Sequence, residues 1–247
     1  MNAFLQMSMT EFRMALRNFI YMFFAFVFPP MMLLLFGGMY GNEPTAFYGG
    51  HGAVDVLTPA YIGMILAVSG IMGLPLQISE YRQHKILKRF KATPIHTGSI
   101  MLPHFIVNCL LSMIGTAILI VVGIGVFHLH FLGNVFPFLF AYFLSMACIF
   151  SIGFLIAAVA PNIRAASAIA YIIYFPMLFL SGATMPLQML PKVMLTISKF
   201  IPLTYCVEIL QGTWMGDPLS SFLKPILVTA SIAVVCTGVS IKIFRWE

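Results

Sequence analysis

Residues 57–94 read LTPAYIGMILAVSGIMGLPLQISEYRQHKILKRFKATP and join an uncharged stretch to a basic one. Positions 57–79 contain no Asp, Glu, Lys or Arg, and about 20 apolar residues are enough for a helix to cross a bilayer. Positions 80–94 then hold five of the thirteen Lys and Arg residues of the chain. The segment predicts a membrane-crossing helix that continues into a basic segment outside the membrane.

The composition of the whole chain indicates the same environment. Apolar residues make up 61% of the sequence and charged residues 8%, whereas about 25% charged residues are usual in a soluble domain. Because lipid offers no water to the backbone, each crossing is expected to be an α-helix. The sequence therefore predicts an all-α integral membrane protein, with six transmembrane helices at 19–40, 57–79, 99–127, 135–160, 165–181 and 222–243.

The distribution of basic residues predicts the orientation. With the N-terminus inside, ten of the thirteen Lys and Arg residues fall on the cytoplasmic side, and Lys192, Lys199 and Lys224 remain outside. This excess matches the positive-inside rule, so both termini are expected in the cytoplasm of a multi-pass protein of the cell membrane. The asymmetry accounts for the net charge of +6, and no nucleic-acid partner is expected.

The segment 2–17 precedes the first predicted span and is amphipathic. Leu5, Met9, Phe12 and Leu16 recur at helical spacing. They predict a helix that lies along the inner membrane surface, although the segment would also serve as a soluble start of the first span. We do not expect a cleaved signal peptide, since the apolar run is too long and no small-residue cleavage site follows it.

The six predicted spans contain no acidic residue, whereas ion-driven carriers usually place ionisable groups within their spans. His104 and Asn108 lie one turn apart in the third span and are expected to share a polar face. The chain has no G-x-x-x-x-G-K-[ST] motif for phosphates, so a partner is expected to supply the energy. The four cysteines are expected to be packing residues, and His128 and His130 are expected to pack in a loop without binding metal.

The segment 80–94 combines basic residues with the apolar Ile86, Leu87 and Phe90 before Pro94 ends it. Such a pattern predicts a short amphipathic helix. One interpretation is attraction to anionic lipid headgroups. The interleaved apolar residues favour a second interpretation, an element that docks into the groove of a partner protein.

The same segment resembles the permease subunits of ABC-2 type transporters. Their second span runs into a cytoplasmic coupling helix with a pattern like E-x-R-x-x-x-x-L-K-R-x-x-A-T-P. The matching positions here are Glu80, Arg82, Leu87, Lys88, Arg89, Ala92, Thr93 and Pro94. The resemblance implies that the ATPase-coupling residues are Glu80, Arg82, Lys85, Leu87, Lys88, Arg89 and Pro94.

A second match to the family is FLSGATMPLQMLPKVMLTISKFIPLTYCVEIL, residues 179–210. Independently of the family, prolines divide 183–218 into apolar pieces too short to cross a membrane. They predict re-entrant helices that enter from the outer face. The outer gate candidates are Pro186, Pro191, Pro202, Tyr205 and Glu208, and Glu208 would otherwise be a surface carboxylate at the headgroup level.

The resemblance implies a fold like that of the type V exporters and a function as the membrane half of a bacterial exporter. Two permease subunits, identical or similar, would pair with separate cytoplasmic ATPases that bind ATP and Mg. This chain would bind no cofactor and would not itself be an enzyme. The abundant Phe and Met residues favour a hydrophobic or amphipathic cargo that moves outward, such as a drug, a lipid-like metabolite or a small peptide.

Two other functions remain as alternatives. A secondary transporter would use an ion gradient and would need ionisable groups within the spans. A membrane-embedded enzyme would need titratable groups that converge at one depth, whereas His104, His128 and Glu208 are far apart in the predicted topology.

Overall fold

The computed structural model describes residues 3–45, 48–84, 97–184, 186–187 and 190–243 of the 247-residue chain. The described residues form helices without a β-sheet. We number these helices α1 Ala3–Arg17, α2 Phe19–Tyr40, α3 Ala53–Gln83, α4 Thr97–Phe127, α5 Val135–Val159, α6 Ile163–Leu180, α7 Lys192–Ser198, α8 Pro202–Met215 and α9 Leu223–Ile243.

Six of these helices are long and apolar enough to cross a membrane: α2, α3, α4, α5, α6 and α9. They occur where the sequence predicts spans, which confirms the all-α membrane fold. Helix α3 differs most from its prediction, because it begins at Ala53 and ends at Gln83 rather than covering 57–79. The helix therefore includes Asp55 at one end and Glu80 and Arg82 at the other.

Helix α3 is the centre of the bundle. Its most apolar window is 94% buried within the protein, whereas that of α9 is 11% buried. Helices α2, α4, α5, α6 and α8 all contact α3. A helix in this position has no lipid-facing or water-facing side, which is why its apolar residues show no single stripe.

A π-helical turn at Val68–Gly73 brings α3 close to α5. A Cβ atom on Gly153 would overlap the carbonyl oxygen of Gly70, and one on Gly70 would lie 2.7 Å from Cδ1 of Phe150. The two glycines allow the backbones to touch, as small residues do between membrane helices. Spacing along α5 does not reveal Gly153 as a packing position, because the residue that it contacts lies on a different helix.

Helix α1 packs across one end of the bundle. It buries Glu11 and Ala15 and leaves Met9 and Leu16, two residues of its apolar stripe, exposed. At this end, which we call the base, α1 meets the end of α3 and the start of α4, and α3 also meets the end of α5. The opposite end, which we call the far end, consists of the described residues of the 41–52 and 128–134 loops and of the segment 181–222.

At the far end, α7 and α8 form the predicted pair of short helices. Pro191 caps the start of α7, Pro202 is the first residue of α8, and the axes of the two helices differ by 91°. Because proline lacks a backbone N–H, it is tolerated at these starting positions and interrupts a continuous helix. The sequence therefore predicted both breaks, while entry of these helices into a membrane stays a prediction.

Candidate functional site

Arg82 lies at the base, on the last turn of α3, and is 7% exposed. Its guanidinium donates hydrogen bonds to the carbonyl oxygens of Ala157, at 3.0 Å, and Ala160. These carbonyls belong to the end of α5, where the helix has acceptors without intrahelical donors and a partial negative charge. Arg82 therefore caps α5.

The structure places Arg82 inside the bundle, where its side chain contacts α5 instead of a docking surface. Its part in coupling to an ATPase stays a prediction. It can still take part in coupling by fixing the end of α3 to the end of α5. A basic residue at the start of a docking segment gives no local signal for this inward direction.

The structure describes only one of the other predicted coupling residues, Glu80. Glu80 is partly exposed at the end of α3, where a partner can reach it. The remaining five lie outside the described residues, and their contact with an ATPase stays a prediction. They are Lys85, Leu87, Lys88, Arg89 and Pro94.

Next to Arg82, a buried polar pair connects α1 to α4. Nδ1 of His104 lies 2.9 Å from Oε2 of Glu11, and both side chains are almost completely buried. The ring of Tyr81, on α3, meets the His104 ring edge to face at 5.0 Å between centroids. Three helices thus meet around one carboxylate and one imidazole.

A hydrogen-bond network extends this pair into the bundle. Asn108 Nδ2 donates to the His104 carbonyl oxygen at 2.9 Å and to Gln77 Oε1 at 2.7 Å. The Tyr21 hydroxyl lies 3.3 Å from Asn108 Oδ1 and 3.4 Å from Ser69 Oγ. The shared polar face expected for His104 and Asn108 is present, and it links α2, α3 and α4.

Sequence reasoning missed the role of Glu11. The residue belongs to an amphipathic helix in which acids usually face water, and its pattern alone assigned it to the polar side. Its partner is 93 positions away in the sequence, so no local spacing relates the two. The one sequence feature that could indicate this pair is the presence of an acid in one helix and a histidine in another, otherwise apolar helix.

At the far end, a cavity of about 550 Å³ lies between the first loop, the start of α3 and the segment 181–222. Its polar lining includes Tyr48, His51, Thr204, Glu208, Gln211 and Asp217. Gln211 Nε2 also donates to the Val56 carbonyl oxygen at 3.1 Å, which ties α8 to α3. The volume is within the range of about 300–1,000 Å³ that is usual for small-molecule sites.

Glu208 lies on α8, outside the six long helices, and faces this cavity. Its partial burial raises the pKa of the carboxyl group above the ordinary value, and the charge of Lys224 partly opposes that change. Among the described residues, no hydrogen-bond donor or salt-bridge partner contacts its carboxylate. Glu208 is therefore an acid that a ligand in the cavity can approach.

The other outer gate candidates separate into two groups. Pro186 lines the cavity with Glu208. Tyr205 instead donates a hydrogen bond from its hydroxyl to the Lys199 carbonyl oxygen at 2.7 Å, across the bend between α7 and α8. Pro191 caps the start of α7, and Pro202 begins α8. Whether any of them acts as a gate stays a prediction.

Beside the cavity, Asp55 joins the far-end loops. Its Oδ1 accepts hydrogen bonds from Asn42 Nδ2 at 3.0 Å and from the His130 backbone N–H at 2.9 Å. The Trp214 indole donates to the His130 carbonyl oxygen at 3.2 Å. The backbone of His130 is thus held in the loop, while its side chain is 64% exposed. No group of three or more metal-ligating side chains occurs in the described part of the chain.

Comparison with known proteins gives one family and several relatives. The family model described as ABC-2 type transporter matches residues 2–215. The ABC transporter G family member 20 of Dictyostelium discoideum is 28% identical over 171 residues, which are 68% of this chain and 22% of that protein. Nodulation protein J of Rhizobium leguminosarum bv. viciae is 32% identical over 95 residues, 38% of this chain and 37% of that protein. The chain thus spans less than two thirds of either relative.

A third relative matches over a greater length. It is the probable doxorubicin resistance ABC transporter permease protein DrrC of Mycobacterium tuberculosis, 23% identical over 227 residues. The match covers 89% of this chain and 80% of that protein.

Proposed function

Since the chain belongs to the ABC-2 type transporter family, we propose that it is the permease subunit of an ATP-driven exporter whose ATPase is a separate cytoplasmic protein. The observation that carries the mechanism is the attachment of Arg82 to the end of α5. This contact joins the first residues of the predicted coupling segment to a second membrane helix.

In this proposal the base faces the cytoplasm. The charge distribution supports this orientation, because ten of thirteen Lys and Arg residues belong to the segments on that side. ATP and Mg bind to the ATPase, whose closure displaces the coupling segment 80–94. A second permease subunit, either identical or similar, completes the pathway within the lipid bilayer.

Displacement of the coupling segment moves several helices together. Arg82 attaches the end of α3 to α5, and Tyr81 packs against His104 of α4. Because packed helices rearrange as rigid bodies between discrete states, a force applied after Gln83 reaches three helices. ATP binding at the partner thereby biases the conformation of the permease.

The proposed cargo is a hydrophobic or amphipathic molecule that moves outward. The far-end cavity supports this class, since its size suits a drug-like molecule and its lining includes Leu187, Val207, Met215 and Phe222. The relative named for doxorubicin resistance is consistent with such cargo.

The test is to purify the tagged chain with the ABC ATPase that accompanies it and to reconstitute the complex in liposomes. We expect ATP-dependent movement of a fluorescent amphipath. Arg82→Gln should retain the bound ATPase but reduce transport per ATP hydrolysed at least about tenfold, because the end of α3 is no longer attached to α5. A tenfold reduction corresponds to about 1.4 kcal/mol of lost coupling. Lys88→Glu with Arg89→Glu should instead release the ATPase.

Arg164→Gln is the matched control, because Arg164 is an exposed arginine on the first turn of α6 and its loss removes the same charge. This variant should transport like the wild type. Transport by the chain alone, driven by an imposed pH or sodium gradient without ATP, would contradict the proposed function.

A further inference from the structure

The far-end cavity is lined by two acidic side chains and by no Lys or Arg among its described lining residues. The two acidic residues are Glu208 and Asp217. His51 is the one titratable base in this described lining. Lys224 acts on Glu208 from outside the lining.

We propose that this cavity is a binding site for organic cations that carry apolar groups. The assignment of these cations as cargo rests on the proposed export function. The binding site itself is argued from three features of the cavity: its unpaired carboxylates, its apolar and aromatic walls, and its size.

The carboxylates of the cavity differ from Asp55, another acid of the far end. Asp55 is 5% exposed and accepts two hydrogen bonds, so its charge is used by the fold. Glu208 and Asp217 are exposed, and within the described residues their carboxylates have no hydrogen bond or salt bridge. Their charge therefore remains for a ligand.

The rest of the lining suits the apolar part of such a ligand. Leu187, Val207, Met215 and Phe222 line the same cavity as the carboxylates, and Tyr48 adds a second aromatic ring. Thioethers adapt to many ligand shapes, and aromatic faces attract cations. A cation would be attracted by the charge of both acids, a neutral molecule would gain at most hydrogen bonds from them, and an anion would be repelled.

The partly enclosed position makes this charge effective. Carboxylates in a cleft of one sign focus the electric field and raise the local concentration of the opposite charge. A cavity of about 550 Å³ holds several rings or a branched ion, but not a large folded partner. The chemistry thus indicates lipophilic ammonium or phosphonium ions instead of metal ions or proteins.

The test uses two ions of nearly equal size and shape with opposite charge, tetraphenylphosphonium and tetraphenylborate. Saturable binding of each is measured by equilibrium dialysis with the permease–ATPase complex in nanodiscs, after subtraction of binding to empty nanodiscs. We expect saturable binding of tetraphenylphosphonium and no saturable binding of tetraphenylborate. Glu208→Gln with Asp217→Asn should weaken it about tenfold or more, which is the factor that about 1.4 kcal/mol gives.

Glu43→Gln is the matched control, since Glu43 is an exposed acid of the first loop outside the cavity lining. It should change binding less than twofold, and all variants should keep the thermal midpoint and ATPase content of the wild type. Should the double variant lose its fold, each single variant replaces it and should weaken binding about threefold, about half of the combined free-energy effect.

Three results would overturn the inference. They are equal saturable binding of both ions, unchanged binding in the folded acid variants, and an equal loss in Glu43→Gln. Because dialysis needs no ATP, these results leave ATP-driven export untouched. Conversely, binding that follows the prediction without any ATP-driven transport supports the site and contradicts the proposed function.

Discussion

At the scale of single residues, the base depends on polar side chains that lie inside the bundle. Arg82 uses backbone carbonyls as partners, while Glu11 and His104 lie against each other. Removing polar groups from water is unfavourable unless close partners compensate. Each of these side chains therefore stabilises one arrangement of the helices and disfavours arrangements in which its partner moves away.

The Glu11–His104 pair gives a prediction at this scale. Glu11→Gln or His104→Gln should each lower stability by about 3 kcal/mol, because loss of one partner leaves the other buried without compensation. The double variant should lose less than the sum of the two. The measurement is a double-mutant cycle on thermal unfolding of the purified complex in detergent.

Arg13→Gln is the control for this cycle, since Arg13 is an exposed charge on the same helix. It should change stability by less than about 0.5 kcal/mol, as is usual for surface positions. Strictly additive losses for Glu11 and His104 would mean that the two side chains do not stabilise each other.

At the scale of helices, α3 organises the bundle through its π-helical turn. Val68–Gly73 carries the wider turn, and such turns often occur at functional sites. The turn places Gly70 against Gly153 of α5, midway between the base and the far end. The contact keeps α3 and α5 together along the length over which Arg82 is expected to transmit movement.

The glycine contact gives a second prediction. Gly153→Ala should destabilise the protein by about 1–3 kcal/mol or more, because the added methyl group meets rigid backbone atoms of Gly70. Gly125→Ala adds the same methyl group to α4 where no atom lies within 4 Å, and it should be neutral or stabilising by up to about 1 kcal/mol.

Thermal midpoints measured by fluorescence-detected size exclusion compare the two glycine variants. Equal midpoints for Gly153→Ala and Gly125→Ala would show that α3 and α5 do not touch in the membrane.

At the scale of the whole molecule, the six long helices among the described residues agree with the expectation that both chain ends lie on one side of the membrane. The exposed apolar surfaces of α2 and α9, whose windows are 28% and 11% buried, are available to lipid and to a second subunit. The buried helix α3 extends from the far end of the bundle to the base. In the proposed function, energy input at the base and cargo binding at the far end occupy opposite ends of one packed core.

The third prediction concerns orientation. Alkaline phosphatase fused after residue 247 should be inactive, since the enzyme requires export to fold, whereas the same enzyme inserted in the 128–134 loop should be active. A fluorescent protein that matures only in the cytoplasm should give the opposite pattern at the two positions. Activity of phosphatase at the C-terminus would reverse the proposed topology.

The sequence by itself determined the membrane fold, the number and approximate positions of the long helices, the proline breaks before α7 and α8, and the family. These follow from composition, apolar length and local motifs, which are properties of adjacent residues. The coupling pattern was also visible, although most of its residues lie outside the described structure.

Only the tertiary structure decided the directions and partners of the polar side chains. It turned Arg82 toward α5, buried Glu11 against His104, and satisfied Asp55 with His130 while leaving Glu208 and Asp217 in the cavity. The physical reason is that the free energy of a buried polar group depends on which distant groups compensate its lost hydration. Spacing along one helix does not contain that information.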